Sequence, residues 1–374
     1  MSENSGKMGR RDYLKQAGAA VIGLAVGGAA GYYGRGPGEP TGTTVTETLA
    51  GTTVTATPAA TAAIQPLKVA MLLSGATTDP GWSGAWYQAL KALEKKYGAS
   101  IAVTEHVAFA DIERILRDYG SRGYEIVFGA GDQYQDGITQ AAPDFPNTIF
   151  FSTGTMLEQP PNTGCWHSYE WQIGYAFGAL ATLMSNSKVI GFIGGVELSS
   201  VIAAVNNYVA GAKKYGAKDV LVGYCGTWID PAKGKEMAEA QIAAGADVIW
   251  HTADLSGVGV ANAAKEHKVL WMGYPDEAQV DLYPEKFLNS EILDFEMVCD
   301  TVYRSHPKNE NFFTPAVIQE PLSSKRAFGR GWLRMSPYLG VVPPTDVQSE
   351  VNTLVKSISD GLEPTLGFVT KPMY

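Results

Sequence analysis

"VLVGYCGTWIDPAKGKEMAEAQIAAGADVIWHTAD", Val220 to Asp254, carries one structural unit in a short span. An apolar, β-branched run ends at Cys225. Asp230 and Pro231 then stand where a helix cap and a first helical residue belong, since the missing proline N–H would be unpaired there anyway. "PAKGKEMAEAQIAAG" has a helical pattern, and "DVIWHT" is again a short apolar run bounded by polar residues. Strand, helix, strand reads as a βαβ unit, whose strands run parallel.

The same alternation extends outward in both directions. "KVIGFIGG" precedes this unit and "KVLWMGY" follows it. Upstream lies a first series, "LKVAMLLS", "SIAVTEHV", "YEIVFGAG" and "NTIFFSTG", with the helix-like "EWQIGYAFGALATLMS", Glu170 to Ser185, between the two series. Two such series predict an α/β protein of two doubly wound parallel-sheet lobes, with a hinge and a ligand cleft between them. The expected lobes are 66–187 and 188–311, and a less regular segment, 312–374, is expected to cross between them.

Ahead of the lobes are two segments that cannot form a core. In residues 1–33, "GRRDYLKQAGAAVIGLAVGGAAGYY" sets Arg10 and Arg11 before a weakly hydrophobic run and is similar to a twin-arginine export signal. Residues 34–65 are rich in Thr, Ala, Gly and Pro, the composition of a stalk or linker. Together they predict a body carried outside the membrane, tethered to it or released by cleavage.

Across the 374 residues the balance is 45% hydrophobic to 18% charged, that of a globular protein, and the net charge is −9. A basic face for gripping phosphate backbones is missing, so nucleic acid is not an expected partner. The three cysteines, Cys165, Cys225 and Cys299, are far apart, odd in number and show no CxxC pairing, which indicates neither a zinc site nor a full disulfide framework and leaves one bridge plus a free thiol, or three buried small hydrophobes. His167 and His251 have no second ligand at metal spacing, so no metal and no cofactor is expected.

In open α/β sheets the ligand sits where strands end and helices begin. "DPGWSGAWYQALKALEKKYG" puts Trp82 at such a place, behind Asp79 and Pro80, while Trp86, Ala89, Leu90, Leu93 and Tyr97 form the apolar stripe of the helix. The second lobe repeats the device with Trp228 ahead of Asp230 and Pro231. Each lobe thus presents one tryptophan to the cleft, and two indoles can sandwich a flat ring. On spacing alone Trp82 also fits the apolar stripe.

The order of "DPGWSGAWYQALKALEKKYG", "VFGAGDQYQDGITQAAPDFPNTIFFSTG", "IGYAFGALATLMSNSKVIGFIGG", the "GTWIDPAKGKE" to "GADVI" stretch and "MGYPDEAQ" resembles the basic membrane protein family. These are solute-binding proteins of nucleoside ABC transporters with a type I periplasmic-binding fold. The resemblance covers residues 67 to 300. It implies a purine nucleoside, adenosine first, stacked between Trp82 and Trp228, with an ABC permease as partner and a monomeric body. It also implies a carboxylate for the ribose diol near the end of "VLWMGY", where Asp276 or Glu277 must serve in place of Pro275. The polar residue that better-known members carry after the first aromatic is Ser83 and Gly84 here, and their lysine has no counterpart in "FLNSEILDF".

Further cleft candidates follow from position. Asp79 is a helix cap or faces the cleft. Asp132, in "GAGDQYQD", accepts from an exocyclic amine or caps the next helix. Glu170 points to the hinge or caps, and Asp254 follows "VIWHTA" into the same crevice. No GxSxG, HExxH or P-loop lysine is present, so no catalytic residue and no enzyme is expected. The alternatives are a binder of another flat solute such as a free nucleobase, a nucleoside-processing enzyme, a regulator of the same fold, or a sensory receptor.

Overall fold

The computed structural model describes residues 45–49, 52–56, 64–154, 160–167, 169–311, 313, 333–363 and 365–374. The twin-arginine segment lies outside the described residues. The chain divides into a unit 1–61 and a unit 62–374. In the first unit, Val45–Leu49 (β1) pairs antiparallel with Thr52–Ala56 (β2), so part of the segment read as a stalk is a two-stranded ribbon. Its threonines and valines are β-branched, which suits extended backbone.

The second unit holds two sheets. The first comprises Lys68–Leu72 (β3), Ser100–Thr104 (β4), Ile126–Gly129 (β5), Ile149–Thr153 (β6) and Thr163–Trp166 (β7), all parallel, in the order β4-β3-β5-β6-β7. The second comprises Val189–Gly194 (β8), Asp219–Tyr224 (β9), Val248–Thr252 (β10), Leu270–Gly273 (β11), Phe287–Leu293 (β12) and Leu333–Met335 (β13), in the order β13-β12-β11-β10-β8-β9. Among the described residues of this sheet, β13 alone pairs antiparallel, with β12. In each sheet the strand order reverses about the first strand, which opens a crevice at the carboxyl ends beside β3 and β8.

Helices Trp82–Tyr97 (α1), Ile112–Ser121 (α2) and Gln135–Ala141 (α3) cover the first sheet. Trp86, Ala89, Leu90 and Leu93 of α1 are buried as the spacing predicts, and the helix stops at Gly98, whose left-handed conformation sends its N–H back to the Glu94 carbonyl. Helices Glu170–Met184 (α4), Ser199–Lys214 (α5), Pro231–Ala243 (α6) and Asp254–His267 (α7) cover the second sheet.

The expected lobe boundaries need three corrections. Helix α4 belongs to the second lobe, so the chain crosses between Trp166 and Glu170, ahead of the expected 187. It packs backbone to backbone on α5: a Cβ on Gly174 would lie 2.4 Å from the Ala204 carbonyl oxygen, and one on Gly178 would lie 2.0 Å from that of Tyr208. An apolar helix with small residues on one side seeks a partner helix. The helix Phe295–Ser305 (α8), expected in the second lobe, returns to the first and lies against α1, with Tyr303 stacked on Tyr97 at 4.9 Å and Phe295 against Trp86 at 4.9 Å. The described part of the expected crossing tail belongs to the second lobe from β13 onward. Helix Thr345–Ser359 (α9) packs on α4, and the last residues run along α5, where Asn206 and Asn207 donate to the carbonyls of Val369, Lys371 and Gly367.

Replacing Gly178 by Ala forces α4 away from α5. The expected loss is about 1–3 kcal/mol of stability, read as a lower urea midpoint; an unchanged midpoint would contradict the close backbone contact.

Candidate functional site

Loops at the carboxyl ends of both sheets enclose a cavity between the lobes. Its volume is about 30 Å³, so it is a narrow slot. Ser74, Asp132, Gln133 and Thr153 reach it from the first lobe; Glu170, Ser200, Thr252, Asp254 and Tyr274 reach it from the second. Trp82 and Trp228 both line it.

The two "DP" turns build these walls differently. In the second lobe Asp230 caps α6 as predicted, accepting from the N–H groups of Ala232 and Lys233 at 3.0 and 3.2 Å, with Pro231 first in the helix. Trp228 is held in the preceding loop with its six-membered ring against Gly195, where a Cβ would stand 2.0 Å from Cε3. Its indole Nε1 is buried with no hydrogen-bond partner among the described residues. In the first lobe α1 starts later, with Gly81 at the N-cap. Asp79 does not cap it; its Oδ1 accepts from the Gly81 N–H at 2.8 Å. Trp82 donates from Nε1 to the Ala130 carbonyl at 2.7 Å, which fixes its plane. The ring parallel to it is Tyr274, at 5.9 Å and 5°, from the opposite lobe.

The lobes are joined by reciprocal contacts. Asp254, at the start of α7, accepts from the Trp82 N–H at the start of α1 at 3.2 Å. Asp132 of the first lobe accepts from the Ser200 N–H near the start of α5 at 3.2 Å and from the Thr153 hydroxyl at 2.8 Å. A carboxylate at a helix N-terminus meets unpaired N–H groups and the positive end of the helix dipole. Gln279 adds a bond to the Pro80 carbonyl at 3.1 Å.

Of the predicted residues, the cavity therefore brings together Trp82, Trp228, Asp132, Glu170 and Asp254. Asp79 is buried just behind Gly81 and does not line the cavity. Asp276 is not at the site: it caps the short turn Glu277–Leu282, accepting from the Ala278 N–H at 2.8 Å. The residue that reaches the cavity from that loop is Tyr274, two places earlier, and it donates to Glu170 at 3.3 Å. Sequence reasoning missed it because it looked there only for a carboxylate; an aromatic closing a strand just before Pro275 was the available signal.

Burial dominates the electrostatics. It lifts the Asp254 carboxyl well above its usual range, with Asp79 and Glu170 adding repulsion and the Trp82 N–H opposing. It lifts Asp79 to about 6. It also raises Glu291, a fully buried neighbour of Glu170 whose carboxyl oxygens have no hydrogen-bond partner among the described residues. Burial lowers His251 to about 4, and its ring stacks on Trp271 at 6.0 Å. Among the described residues no group of three His, Cys, Asp or Glu side chains is placed to hold a metal. The three cysteines are buried.

Residues 67–320 match the sequence profile of the Bmp family, ABC transporter substrate-binding proteins of PnrA-like type. The chain belongs to this family. Among curated family relatives, a purine-binding protein of Brucella abortus is 29% identical over 203 residues, 53% of this chain and 58% of that one. An ABC transporter nucleoside-binding protein, BmpA of Lactococcus lactis, is 32% identical over 145 residues, 38% and 41% of the two chains. A putative ABC transporter glucose-binding protein of Haloferax volcanii is 28% identical over 220 residues, 58% and 55%. The chain thus spans about half the length of these relatives. A solute-binding protein structure from Conexibacter woesei superposes with a TM-score of 0.59 at 24% identity, covering 81% of this chain and 99% of that one. Its likeness establishes the fold, a type I periplasmic-binding arrangement of two α/β lobes. Among the described residues no helix is long and apolar enough to cross a membrane.

The raised Asp79 fixes a sign. The folded form holds its proton from the ordinary value of 3.8 up to about 6, where the unfolded chain has released it, so ionisation removes stability as pH rises through that window. Asp79→Asn keeps an acceptor for Gly81. It is expected to raise the melting temperature at pH 7.5 and to match the wild type near pH 4; an equal deficit at both values would contradict the buried, uncompensated carboxyl.

Proposed function

We propose that this chain is the extracytoplasmic solute-binding subunit of an ABC importer and captures a purine nucleoside, adenosine first, with the base gripped by Trp82 and Trp228. The observation that supports this is the narrow slot walled by an aromatic from each lobe, lying at the strand ends where α/β folds bind ligands. A flat heterocycle matches such a slot, and each ring face adds on the order of 1 kcal/mol beyond area burial. Asp132, Glu170 and Asp254 supply acceptors for the amine and hydroxyl donors of a nucleoside.

Lobe closure sequesters the ligand, and the closed form, with its reciprocal contacts, is what the permease recognises. The body works as a monomer, exported by the twin-arginine route and either retained at the membrane or released. No catalytic step is assigned to it. The names of the Brucella and Lactococcus relatives support a purine or nucleoside cargo, and that of the Haloferax relative makes glucose the comparison to include.

The test is calorimetric titration of the full chain, stripped of carried-over ligand by unfolding and refolding, with adenosine, guanosine, inosine, adenine, ribose and glucose. Tight binding of a nucleoside with both sugars silent is the expected result; sugar binding with nucleosides silent would replace the cargo. Trp82→Ala and Trp228→Ala are each expected to cost about 1–3 kcal/mol of affinity. Unchanged affinity in both would remove the stacking arrangement.

A further inference from the structure

Two side chains of the second lobe that line the slot carry buried polar atoms with no partner among the described residues. Thr252, the last residue of β10, is 1% exposed, and its hydroxyl makes no hydrogen bond there. The indole N–H of Trp228 is likewise buried without an acceptor. A third lining residue, Gln133, leaves its amide oxygen unpaired, but that side chain is only partly buried and can turn. A buried hydroxyl or N–H left unpaired carries the full cost of its desolvation, so two of them at one ligand site point to a ligand that pairs them.

Both groups belong to one frame built around Gly195. The Gly195 N–H donates to the Thr252 carbonyl at 3.0 Å, and the Thr227 N–H donates to the Gly195 carbonyl at 3.1 Å. The Ser256 N–H holds the Trp228 carbonyl at 3.0 Å. A Cβ on Gly195 would stand 2.0 Å from Cε3 of the indole, so Nε1 lies on the far edge of the ring system. All these residues are in the second lobe, and the two groups are therefore placed before the lobes close. An indole donates in its own plane, whereas it stacks through its face. A flat ring lying on Trp228 cannot accept its N–H, and the acceptor must belong to a part of the solute outside that ring. Trp228 donates only, while the Thr252 hydroxyl donates and accepts. Sugar hydroxyls suit both, since each of them accepts and donates.

We infer that Trp228, through its indole N–H, and Thr252, through its hydroxyl, read hydroxyls of the solute, so that the slot selects a flat ring carrying a sugar over the same ring alone. This deepens the solute-binding reading above and rests on it. Trp228 then acts through its edge as well as its face, and Thr252 is a specificity-determining residue.

The experiment is calorimetry on the full chain, stripped of carried-over ligand, with adenosine, adenine and the 2′-, 3′- and 5′-deoxyadenosines. Trp228→Phe keeps a ring face and removes the N–H. Thr252→Val keeps the shape and removes the hydroxyl, which Thr252→Ser restores. Adenosine is expected to bind Trp228→Phe and Thr252→Val roughly fivefold to tenfold more weakly than the wild type, with Thr252→Ser near the wild type and adenine weaker throughout. Each loss should vanish for the deoxy analogue that lacks the hydroxyl read by the missing group. Ligand-free Thr252→Val should melt no lower than the wild type, because the hydroxyl holds nothing in the fold. Wild-type affinity for adenosine in either variant, equal losses for adenosine and every analogue, or a lower melting temperature of ligand-free Thr252→Val overturns the inference and leaves the nucleoside reading standing. Adenine binding as tightly as adenosine overturns it too. If the nucleosides are silent and glucose binds, the nucleoside reading falls, and the same variants against 2-, 3- and 6-deoxyglucose decide the hydroxyl-reading pair by the same criteria. Silence from nucleosides and glucose alike overturns both.

Discussion

The arrangement turns on a reciprocal contact: each lobe gives a carboxylate to the amino end of a helix in the other. Asp254 takes the first N–H of α1, and Asp132 takes the Ser200 N–H of α5. A helix start is the one part of a helix with donors to spare, and the crevice of an α/β sheet is where helix starts gather. Closure therefore uses groups that the fold leaves unpaired in each lobe separately. The geometry admits little slack. A Cβ on Gly81 would stand 2.9 Å from the Asp254 Cα, so the backbone of one lobe lies directly on that of the other.

This contact brings several buried carboxyls close together. Asp79 and Asp254 flank Gly81 from opposite lobes, Glu170 stands beside Asp254, and Glu291 stands behind Glu170. Desolvation raises Asp79, Asp254 and Glu291, and neighbouring carboxyls add repulsion at Asp254 and Glu291.

Rigid lobes make such a hinge useful. The second lobe is tightened by α4 and α5 meeting backbone to backbone at Gly174 and Gly178, and the first by the aromatic packing of α8 on α1. The chain passes between lobes after Trp166, after Leu293 and again before Leu333.

The central parallel strands were legible because buried parallel strands are continuous apolar runs, and both tryptophans were legible because each stands where a strand gives way to a helix. Strand β7, "TGCW", has no apolar run to announce it, and β12 and β13 form only by pairing with β11 and with each other. The lobe to which α4 or α8 belongs is likewise invisible locally, since an amphipathic or apolar helix records that it is covered and not by what. The two "DP" turns show the division most plainly. Local chemistry alone made Asp230 a cap, whereas the same dipeptide at Asp79 lost that role because Gly81 had to pass Asp254 of the other lobe. Sequence determined the elements and their order by periodicity and turn chemistry, which act over a few residues. Tertiary structure decided which carboxylates face the slot, because that depends on contacts between residues more than a hundred positions apart, such as Trp82 with Asp254.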